Sequence, residues 1–504
     1  MRKFLFCFVG GAAVLVAGWV CFVSVRPAAA GGSLGVQRAG DADESARIQR
    51  IENGLIAAIQ IKGQTAKPMT MAERMKFFKV PGVSMAFFEG GKIVWTKAYG
   101  YADVESKRPV TAETLFQAAS ISKPVSALAA LRLVRDGKLS LDENVNAELK
   151  SWKVPENEFT KEQKVTLRRI LSHSAGTTVH GFAGYASDEA VPTVVQVLNG
   201  EKPANSDPVR VDVVPGTMER YSGGGMTIMQ LMLTDVTGKA FPEITKESVL
   251  QPAGMTSSGY MQPLPKNLWG NAATAYRSDG TPVKGGWHTY PEMAAAGLWT
   301  TPSDLARVAI EVKKEYDGTS EKILSQKLAQ EMLTRQKGNY GLGFEIEAPG
   351  KKRHFGHGGS NEGYRCDLLA WTDSGQGIAI MTNSDAGGGL IAEIMLSVAK
   401  EYGWPEPEPV VHSLAKVDAA TIASYAGTYE GDTVGKLVFT AKDGKLYLQA
   451  DILGPESQEM LPETDSHFFM MSTNIQFSFE KNKQGEVEKV EIDAGNKFVA
   501  EIRR

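Results

Sequence analysis

A largely apolar run covers residues 121–134, and it is interrupted by Ser122, Lys123, Pro124, Ser126 and Arg132. A helix with this pattern is normally buried on all sides. Proline is tolerated near the first turn of a helix, so the helix should begin a few residues before Pro124. A basic last turn followed by Gly137 predicts where it ends.

The segments around this helix predict a sheet covered by helices. Residues 81–104 form two β-like runs joined at Glu89-Gly90-Gly91-Lys92, which indicates a hairpin. Three more β-like runs lie between residues 340 and 385. Helical patterns cover residues 45–64, 165–177, 223–237, 301–312 and the stretch that ends near Tyr402. We therefore expect an α/β fold of the α+β sandwich type, with an antiparallel sheet flanked by helices.

The C-terminal part of the chain has a different pattern. Residues 403–411 are rich in proline, which is typical of a stiff linker. From residue 419 onwards, short alternating runs are separated by turn pairs such as Asp443-Gly444 and Gln484-Gly485. This pattern predicts a small antiparallel β-sheet or barrel domain.

The N-terminus resembles an export signal. Arg2 and Lys3 precede an apolar run at residues 4–25, and an A-x-A-like site follows at Ala28-Ala29-Ala30. We favour cleavage after Ala30, but the run is long enough to remain as a membrane anchor. In both cases the globular part is expected to be exported, to the periplasm or the cell exterior. The Gly-rich residues 31–44 are interpreted as a tether.

Composition and cysteine content narrow the classes of function. The 504 residues include 42% hydrophobic ones and carry a formal net charge of −3, so the chain can bury a large core and nothing suggests nucleic-acid binding. Cys7 and Cys21 lie in the export segment, which leaves only Cys366 in a cleaved chain. An internal disulfide is therefore not expected in the mature protein.

The apolar helix carries the first candidate for chemistry. Ser120 and Lys123 form an S-x-x-K tetrad, which places the hydroxyl and the amine on one helix face near its N-terminal end. A serine becomes nucleophilic when a neighbouring base takes its proton, and an amine is such a base when burial lowers its pKa. The tetrad also occurs at Ser397/Lys400, Ser413/Lys416 and Ser478/Lys481, so the placement rather than the motif singles out Ser120.

Further candidates lie downstream. Tyr221 precedes the glycine-rich start of an apolar helix, where it is either a packing residue or a proton-transfer partner of Lys123. His173 lies at a helix end, as a catalytic base or as a structural hydrogen-bonding residue. His357 lies among glycines at a strand entry. His354 and His357 lack the dense ligand cluster of a zinc site, so we expect neither a metal nor another cofactor.

In this order, Ser120-x-x-Lys123, Tyr221-Ser222-Gly223 and His357-Gly358-Gly359 resemble the serine β-lactamase and penicillin-binding-protein superfamily. Its class C-like branch includes esterases, D-aminopeptidases and D,D-carboxypeptidases. The segments LSHSAGT, PGT…YS, AGLWTTPSDLA and GHGGSNEG are similar to pieces of that branch. The likeness covers residues 70–402, and the tail resembles the lipocalin-like C-terminal domain of some members.

The resemblance implies a catalytic role for four residues. Ser120 would be the acylated nucleophile and Lys123 its buried partner. Tyr221 would stand for the tyrosine of the family's Y-x-N element. His357 would replace the lysine of K-T-G, as in many esterase-like relatives. Whether Lys123 or Tyr221 takes the serine proton stays open.

The resemblance also implies how the substrate is held. The backbone N–H groups of Ser120 and Ser360 would form the oxyanion hole, and Gly223, Gly358 and Gly359 would border the substrate. Gly223 departs from the family pattern, because it replaces the asparagine of Y-x-N that contacts the substrate amide in β-lactamases. This departure puts recognition of β-lactams in doubt.

The expected organisation is therefore an export segment (1–30), a tether (31–44), a β-lactamase-like domain (45–402) that includes an all-helical subdomain, a linker (403–418) and a β domain (419–504). We expect a serine hydrolase that acts on a small-molecule or peptide ester or amide. A D,D-carboxypeptidase or D-aminopeptidase acting on peptidoglycan is the alternative enzyme. An inactive binding or scaffold protein is the alternative from another class, although it would not need Ser120, Lys123 and Tyr221 together.

Overall fold

The computed structural model describes residues 39–503, apart from 66, 348–351, 432–433, 451–453, 474 and 494–496. The expected export segment at 1–30 and most of the expected tether lie outside the described residues. No helix in the part of the chain that is described has the length and apolar character needed to cross a bilayer.

The expected helices at 223–237 and 301–312 are present, whereas the one expected at 165–177 ends at Leu171. The described helices are α1 (Ala39–Asn53), α2 (Met71–Phe77), α3 (Ser122–Arg135), α4 (Leu167–Leu171), α5 (Val194–Asn199), α6 (Gly223–Thr237), α7 (Phe241–Thr245), α8 (Gln251–Ala253), α9 (Met293–Ala296), α10 (Pro302–Tyr316), α11 (Gln326–Met332), α12 (Gly387–Tyr402) and α13 (Ala419–Ser424).

The described strands fall into four groups in space. They are β1 (Ile59–Ile61), β2 (Gly82–Glu89), β3 (Lys92–Asp103), β4 (Arg108–Pro109), β5 (Phe116–Gln117), β6 (Trp299–Thr300), β7 (Glu345–Glu347), β8 (His354–Asn361), β9 (Tyr364–Trp371), β10 (Gly377–Thr382), β11 (Val410–His412), β12 (Gly427–Gly431), β13 (Gly435–Lys442), β14 (Lys445–Ala450), β15 (Gly454–Pro462), β16 (His467–Phe469), β17 (Gln476–Lys481), β18 (Val487–Asp493) and β19 (Lys497–Arg503).

The main sheet has seven strands in the order β4-β3-β2-β10-β9-β8-β7, and every neighbouring pair is antiparallel. Both faces of the sheet are covered. Along β10, Ala379 and Met381 belong to the larger hydrophobic core with α3, α6 and α10, whereas Ile378 and Ile380 belong to a second core with α2 and α12. Successive strand residues point to opposite faces, so one strand serves both cores. The expected α/β sandwich is confirmed.

The helices α3–α9 form the all-helical part. They lie in sequence between β5 and β6, two short strands that pair with each other. Phe116 pairs with Thr300 and Gln117 with Trp299. This pairing fixes the chain just before the nucleophile candidate. Strand β5 ends three residues before Ser120.

The C-terminal domain is a closed antiparallel barrel of the eight strands β12–β19, as the tail pattern predicted. Its interior is filled by large apolar side chains that are nearly inaccessible to solvent. They include Tyr425, Tyr429, Phe439, Phe468, Phe477 and Phe479. Because the barrel's interior positions carry packed aromatic rings, its centre is a hydrophobic core.

The expected helix at residues 45–64 is wrong in its second half. Helix α1 ends at Asn53, and residues 59–61 form β1, which pairs in parallel with β11 in the Pro-rich segment. Helical periodicity cannot reveal a strand whose partner lies 350 residues further along the chain. The Pro-rich segment is thus bound to the N-terminal part of the larger domain.

Candidate active site

Ser120 lies in a short 3-10 turn, Ala119–Ile121, directly ahead of α3. The N–H of Ala118 donates to the carbonyl of Leu298 at 2.8 Å, which extends the β5–β6 pairing up to this turn. Ala119 has a φ of +49°, a left-handed conformation that side-chain-bearing residues rarely adopt. A strained conformation of this kind persists where the surrounding structure holds the backbone in place. The strained residue here is the one directly before Ser120.

Lys123 is the hydrogen-bond partner of Ser120. Its Nζ lies 2.9 Å from Ser120 Oγ and donates a second hydrogen bond to the carbonyl of Ala295 at 2.9 Å. The side chain is only 2% exposed. Burial lowers the pKa of Lys123 to about 7, against an opposing attraction from Glu345. A large fraction of the amine is therefore neutral near pH 7.

Tyr221 is the third member of this group. Lys123 Nζ lies 4.8 Å from the centre of its ring. Burial raises the pKa of Tyr221 above its ordinary value, although a hydrogen bond with Ser120 acts in the opposite direction. The phenol therefore keeps its proton at neutral pH, while the neighbouring amine can release its own.

The Tyr221 ring is held between two histidines. The His173 ring lies at 4.4 Å and the His180 ring at 4.8 Å from it, measured between ring centres. His173 Nδ1 accepts a hydrogen bond from the N–H of Ser222, the N-cap residue of α6, at 3.2 Å. Burial holds the pKa of His173 well below its usual range. His173 is therefore a buried neutral residue that accepts a hydrogen bond from the N-cap residue of α6 and packs against the Tyr221 ring, which favours the structural alternative.

His357 lies on β8 and is 4% exposed. Its Nδ1 makes a 2.6 Å hydrogen bond with the carbonyl of Gly358, so that nitrogen carries the proton and Nε2 is an acceptor without a partner among the described residues. Burial, together with Lys123, lowers the pKa of His357 to about 3. His357 is therefore neutral near pH 7.

The glycines beside His357 let β8 approach the nucleophile turn. A Cβ on Gly359 would lie 2.3 Å from the carbonyl oxygen of Ala118, whereas a Cβ on Gly358 would meet no atom within 4 Å. Ser360 follows on the same strand. Ser120 and Ser360 both line one cavity, as an oxyanion hole built from their N–H groups requires.

Gly223, which is expected to border the substrate, packs beside Phe182 and the backbone of His180. A Cβ at this residue would lie 2.9 Å from the Phe182 ring and 3.2 Å from the carbonyl oxygen of His180. Phe182 lines the cavity and fills the space next to Gly223. An apolar ring therefore lies between Gly223 and the cavity.

The cavity has a volume of about 1170 Å³ and contains the side chains of Ser120, Lys123, Tyr221 and His357 together. Sequence reasoning missed Tyr340 and Glu345, which also line it. Both residues lie in the segment YGLGFEIE, whose pattern predicts only a strand. The turn inside it brings both ends of the segment into the site.

His354 and His357 do not form a metal site with each other, because residues three apart on β8 point to opposite faces of the sheet. Among the described residues, His354 lies with Glu347 and Glu406, and one ligand atom from each falls within 4.8 Å of the others. The Glu347 side chain is 49% exposed. Exposed carboxylates beside a histidine are common without an ion, so this cluster alone assigns no metal.

Two family models match the chain. The model described as Beta-lactamase matches residues 70–396, and a model described as a domain of unknown function (DUF3471) matches residues 412–502. The first covers the sheet and helices that carry the site. The second covers the barrel.

Individual proteins show the same likeness. A penicillin-binding protein of Bacillus subtilis (strain 168) is 23% identical over 420 residues, covering 78% of this chain and 88% of the relative. A D-aminopeptidase of Brucella anthropi is 24% identical over 399 residues, covering 78% of this chain and 72% of the relative. The solved structure of EstCE1, a hydrolase with promiscuous acyltransferase activity, is similar with a TM-score of 0.56 at 20% identity, covering 71% of this chain and 99% of that one.

Proposed function

The chain belongs to the β-lactamase family of serine hydrolases, and on that premise we propose that it is an exported hydrolase that cleaves esters or amides through an acyl-enzyme at Ser120. The observation that carries the proposal is the 2.9 Å contact between Ser120 Oγ and the buried amine of Lys123. An amine with a pKa of about 7 is a suitable general base at neutral pH.

The geometry supports a division of labour within the site. Neutral Lys123 takes the Ser120 proton while its hydrogen bond to Ala295 keeps the amine in place. Ser120 Oγ then bonds to the substrate carbonyl carbon, and the N–H groups of Ser120 and Ser360 stabilise the oxyanion. Tyr221, which keeps its proton, donates it to the leaving group. Water then cleaves the acyl-enzyme by the reverse transfers, releasing the acid and restoring Ser120.

Two features favour simple esters over β-lactams. Phe182 beside Gly223 presents an apolar surface where a β-lactam amide would need a hydrogen-bonding partner. His357 is neutral where a lysine would attract a substrate carboxylate. An ester without a carboxylate needs neither contact. It requires only the nucleophile, its base and the oxyanion hole.

The test combines covalent labelling with a comparison of substrates. A fluorophosphonate should add one adduct, seen by intact-mass analysis, and Ser120→Ala should abolish it. p-Nitrophenyl butyrate should be hydrolysed with at least about a tenfold higher kcat/KM than nitrocefin, since one lost hydrogen bond alone costs about 1–3 kcal/mol. Equal efficiency on nitrocefin would contradict the ester preference. Unchanged labelling of Ser120→Ala would contradict the nucleophile.

The relatives favour a second candidate, a D-aminopeptidase or D,D-carboxypeptidase that acts on peptidoglycan peptides. One similar protein is described as a D-aminopeptidase and another as a penicillin-binding protein, and the cavity is larger than a short ester needs. D-Alanine p-nitroanilide and a D-Ala-D-Ala peptide separate this candidate from the first. Turnover of either that exceeds turnover of the butyrate ester would make the peptidase the better assignment.

Export is proposed from residues 1–30. The segment contains the charged start, the apolar run and the A-x-A-like site described above. Cell fractionation with N-terminal sequencing distinguishes the two forms of the proposal. A mature chain that begins at Gly31 indicates cleavage, whereas an intact N-terminus in the membrane fraction indicates an anchor through residues 4–25.

A further inference from the structure

Tyr340 and Glu345 form a pair at the edge of the active site that the mechanism above does not use. Tyr340 Oη donates a 2.6 Å hydrogen bond to Glu345 Oε1, and both residues line the cavity that contains Ser120. Tyr340 is 5% exposed. Burial and the neighbouring Glu345 raise the pKa of Tyr340 far above its ordinary value, so the phenol remains a donor to the carboxylate.

The turn between the two residues is packed directly against the nucleophile helix. Gly343 has a φ of +103°, and a Cβ there would lie 2.5 Å from Ala127 Cβ and 3.3 Å from Pro124 Cα. The Gly343 N–H donates to the carbonyl of Leu171 at 2.8 Å. The position of the pair is therefore fixed relative to the first turns of α3, which carry Lys123.

The Tyr340 ring also joins the aromatic group around Tyr221. Its centre lies 4.6 Å from the His173 ring in an edge-on arrangement, 6.0 Å from the Tyr221 ring and 6.1 Å from the His357 ring. The hydroxyl that holds Glu345 thus belongs to a ring that packs among the groups facing Lys123.

The titratable groups around Lys123 come from several elements. His173 and His180 lie in the chain before α6, and Tyr221 lies directly before Ser222, the N-cap residue of α6. His357 lies on β8. Burial lowers the pKa of each of these three histidines. Glu345 is the described carboxylate whose charge acts on Lys123, and it favours the ammonium form.

Glu345 has charged neighbours of its own on the other side. Glu347 is on the same strand, His354 is on β8, and Asp367 is on β9, where burial and the two glutamates raise its pKa to about 7. These groups face Glu345 from strands of the sheet edge. Of these acidic groups, Glu345 is the one whose charge raises the pKa of Lys123.

We propose that Glu345, held by Tyr340, is a positioning residue that sets the pH range in which Lys123 can take the proton of Ser120. The inference rests on the proposed function, because it assigns a role within the same proton transfer. Glu345 limits how far burial destabilises the ammonium form. Without its charge, the amine becomes neutral at a lower pH.

The test is the pH dependence of fluorophosphonate labelling of the full chain between pH 5 and 9. Glu345→Gln should move the acid limb of the rate to lower pH by about 0.5–1 unit, as expected for the loss of one nearby charge at the effective dielectric of a protein site. Glu345→Asp should return the limb toward that of the parent protein. Tyr340→Phe keeps the carboxylate, so it should lower the labelling rate with a smaller shift of the limb.

Glu347→Gln is the matched control, because it removes the same charge two residues further along β7. It should leave the acid limb in place. An unshifted limb in Glu345→Gln, or an equal shift in Glu347→Gln, would overturn the inference. Thermal unfolding of each variant identifies any loss of folding.

A second readout separates this inference from the proposed function. NMR titration of the ¹⁵N-labelled Lys123 side chain follows the amine directly and needs no reaction at Ser120. If Ser120 is not labelled but the Lys123 titration still moves down in Glu345→Gln, the proposed function fails and the inference about Glu345 stands. If labelling is normal and the titration midpoint is unchanged, only the inference fails.

Discussion

Gly359 passes so close to Ala118 that a Cβ on the glycine would lie 2.3 Å from the alanine's carbonyl oxygen. Strand β8 is thereby pressed against the backbone that leads into Ser120. The two N–H groups proposed for the oxyanion hole come from these two segments. The distance between these two N–H groups depends on the absence of a side chain at Gly359.

The first prediction concerns this contact. Gly359→Ala should push β8 away from the nucleophile turn and lower the fluorophosphonate labelling rate by about 10²-fold, the usual loss for a disturbed oxyanion hole. Gly358→Ala is the matched control, because its added methyl group meets no atom within 4 Å. Labelling of both variants at similar rates would show that the close approach has no catalytic consequence.

The second prediction is that Lys123 and Tyr221 work as a unit. Lys123 Nζ contacts Ser120 Oγ, and Tyr221 shares a hydrogen bond with the same serine. The double variant Lys123→Ala/Tyr221→Phe should therefore lose little more ester kcat/KM than the worse single variant. Single losses that multiply in the double variant would mean that the two residues act separately.

The third prediction concerns the family's missing asparagine. Gly223→Asn alone should destabilise the protein by about 1–3 kcal/mol, because its Cβ would press on Phe182. With Phe182→Ala the amide has room, so nitrocefin kcat/KM should rise above that of Phe182→Ala alone. Thermal unfolding and nitrocefin kinetics on the three variants test both parts. No gain in the double variant would show that other features exclude β-lactams.

The fourth prediction concerns how the ionisation of Glu292 affects the stability of the protein. Glu292 is fully buried, and no other described residue donates a hydrogen bond to its carboxylate oxygens. Burial raises the pKa of Glu292 from 4.5 to about 7. A raised carboxyl pKa means that the folded state binds the proton more tightly. The cost of the charge is absent well below pH 4.5, grows between about pH 4.5 and 7, and is complete above pH 7.

Glu292→Gln removes that charge and should therefore stabilise the protein at pH 8, by at most about 3 kcal/mol. At pH 4 it should have little effect. Urea unfolding of both proteins at the two pH values measures the difference. Equal differences at pH 4 and pH 8 would show that ionisation of Glu292 is not the cause.

The fifth prediction concerns the end of the larger domain. Trp404 lies just beyond the expected boundary at residue 402, yet it is 9% exposed, stacks on Phe87 and donates from Nε1 to Gln376 Oε1 at 2.8 Å. A chain that ends after Pro409 should fold and be labelled at Ser120. A chain that ends after Tyr402 should be about 3 kcal/mol less stable, as for loss of a packed tryptophan. Equal melting temperatures would assign Trp404 no role in that core.

The sequence allowed much of the fold to be predicted because local patterns determine it. The hairpin at Glu89-Gly90-Gly91-Lys92, the buried helix α3 and the alternating tail each depend on neighbouring residues. The β1–β11 pairing was missed because its strands are three residues long and far apart in sequence. A three-residue strand has too little periodicity to be recognised without its partner.

The candidate site was predictable where a motif carries the chemistry. Ser120, Lys123, Tyr221 and His357 do line one cavity. Glu345 was missed because an acidic residue in a short strand gives no signal until the turn at Gly343 brings it into the cavity that contains Lys123. Phe182 was missed for a related reason, since nothing in its local sequence shows that it fills the space next to Gly223.

The parallel pairing of β1 with β11 has a practical consequence for anyone who shortens this protein. In the sequence, β1 precedes the first strand of the central hairpin and β11 follows β10. Their pairing therefore connects the segment before α2 to the segment before the barrel. An N-terminal truncation for expression keeps the β1–β11 pairing only if the cut precedes Ile59. A tag or fusion partner placed between residues 54 and 61 would weaken the β1–β11 pairing, which holds the segment ahead of a barrel whose first strand begins at Gly427.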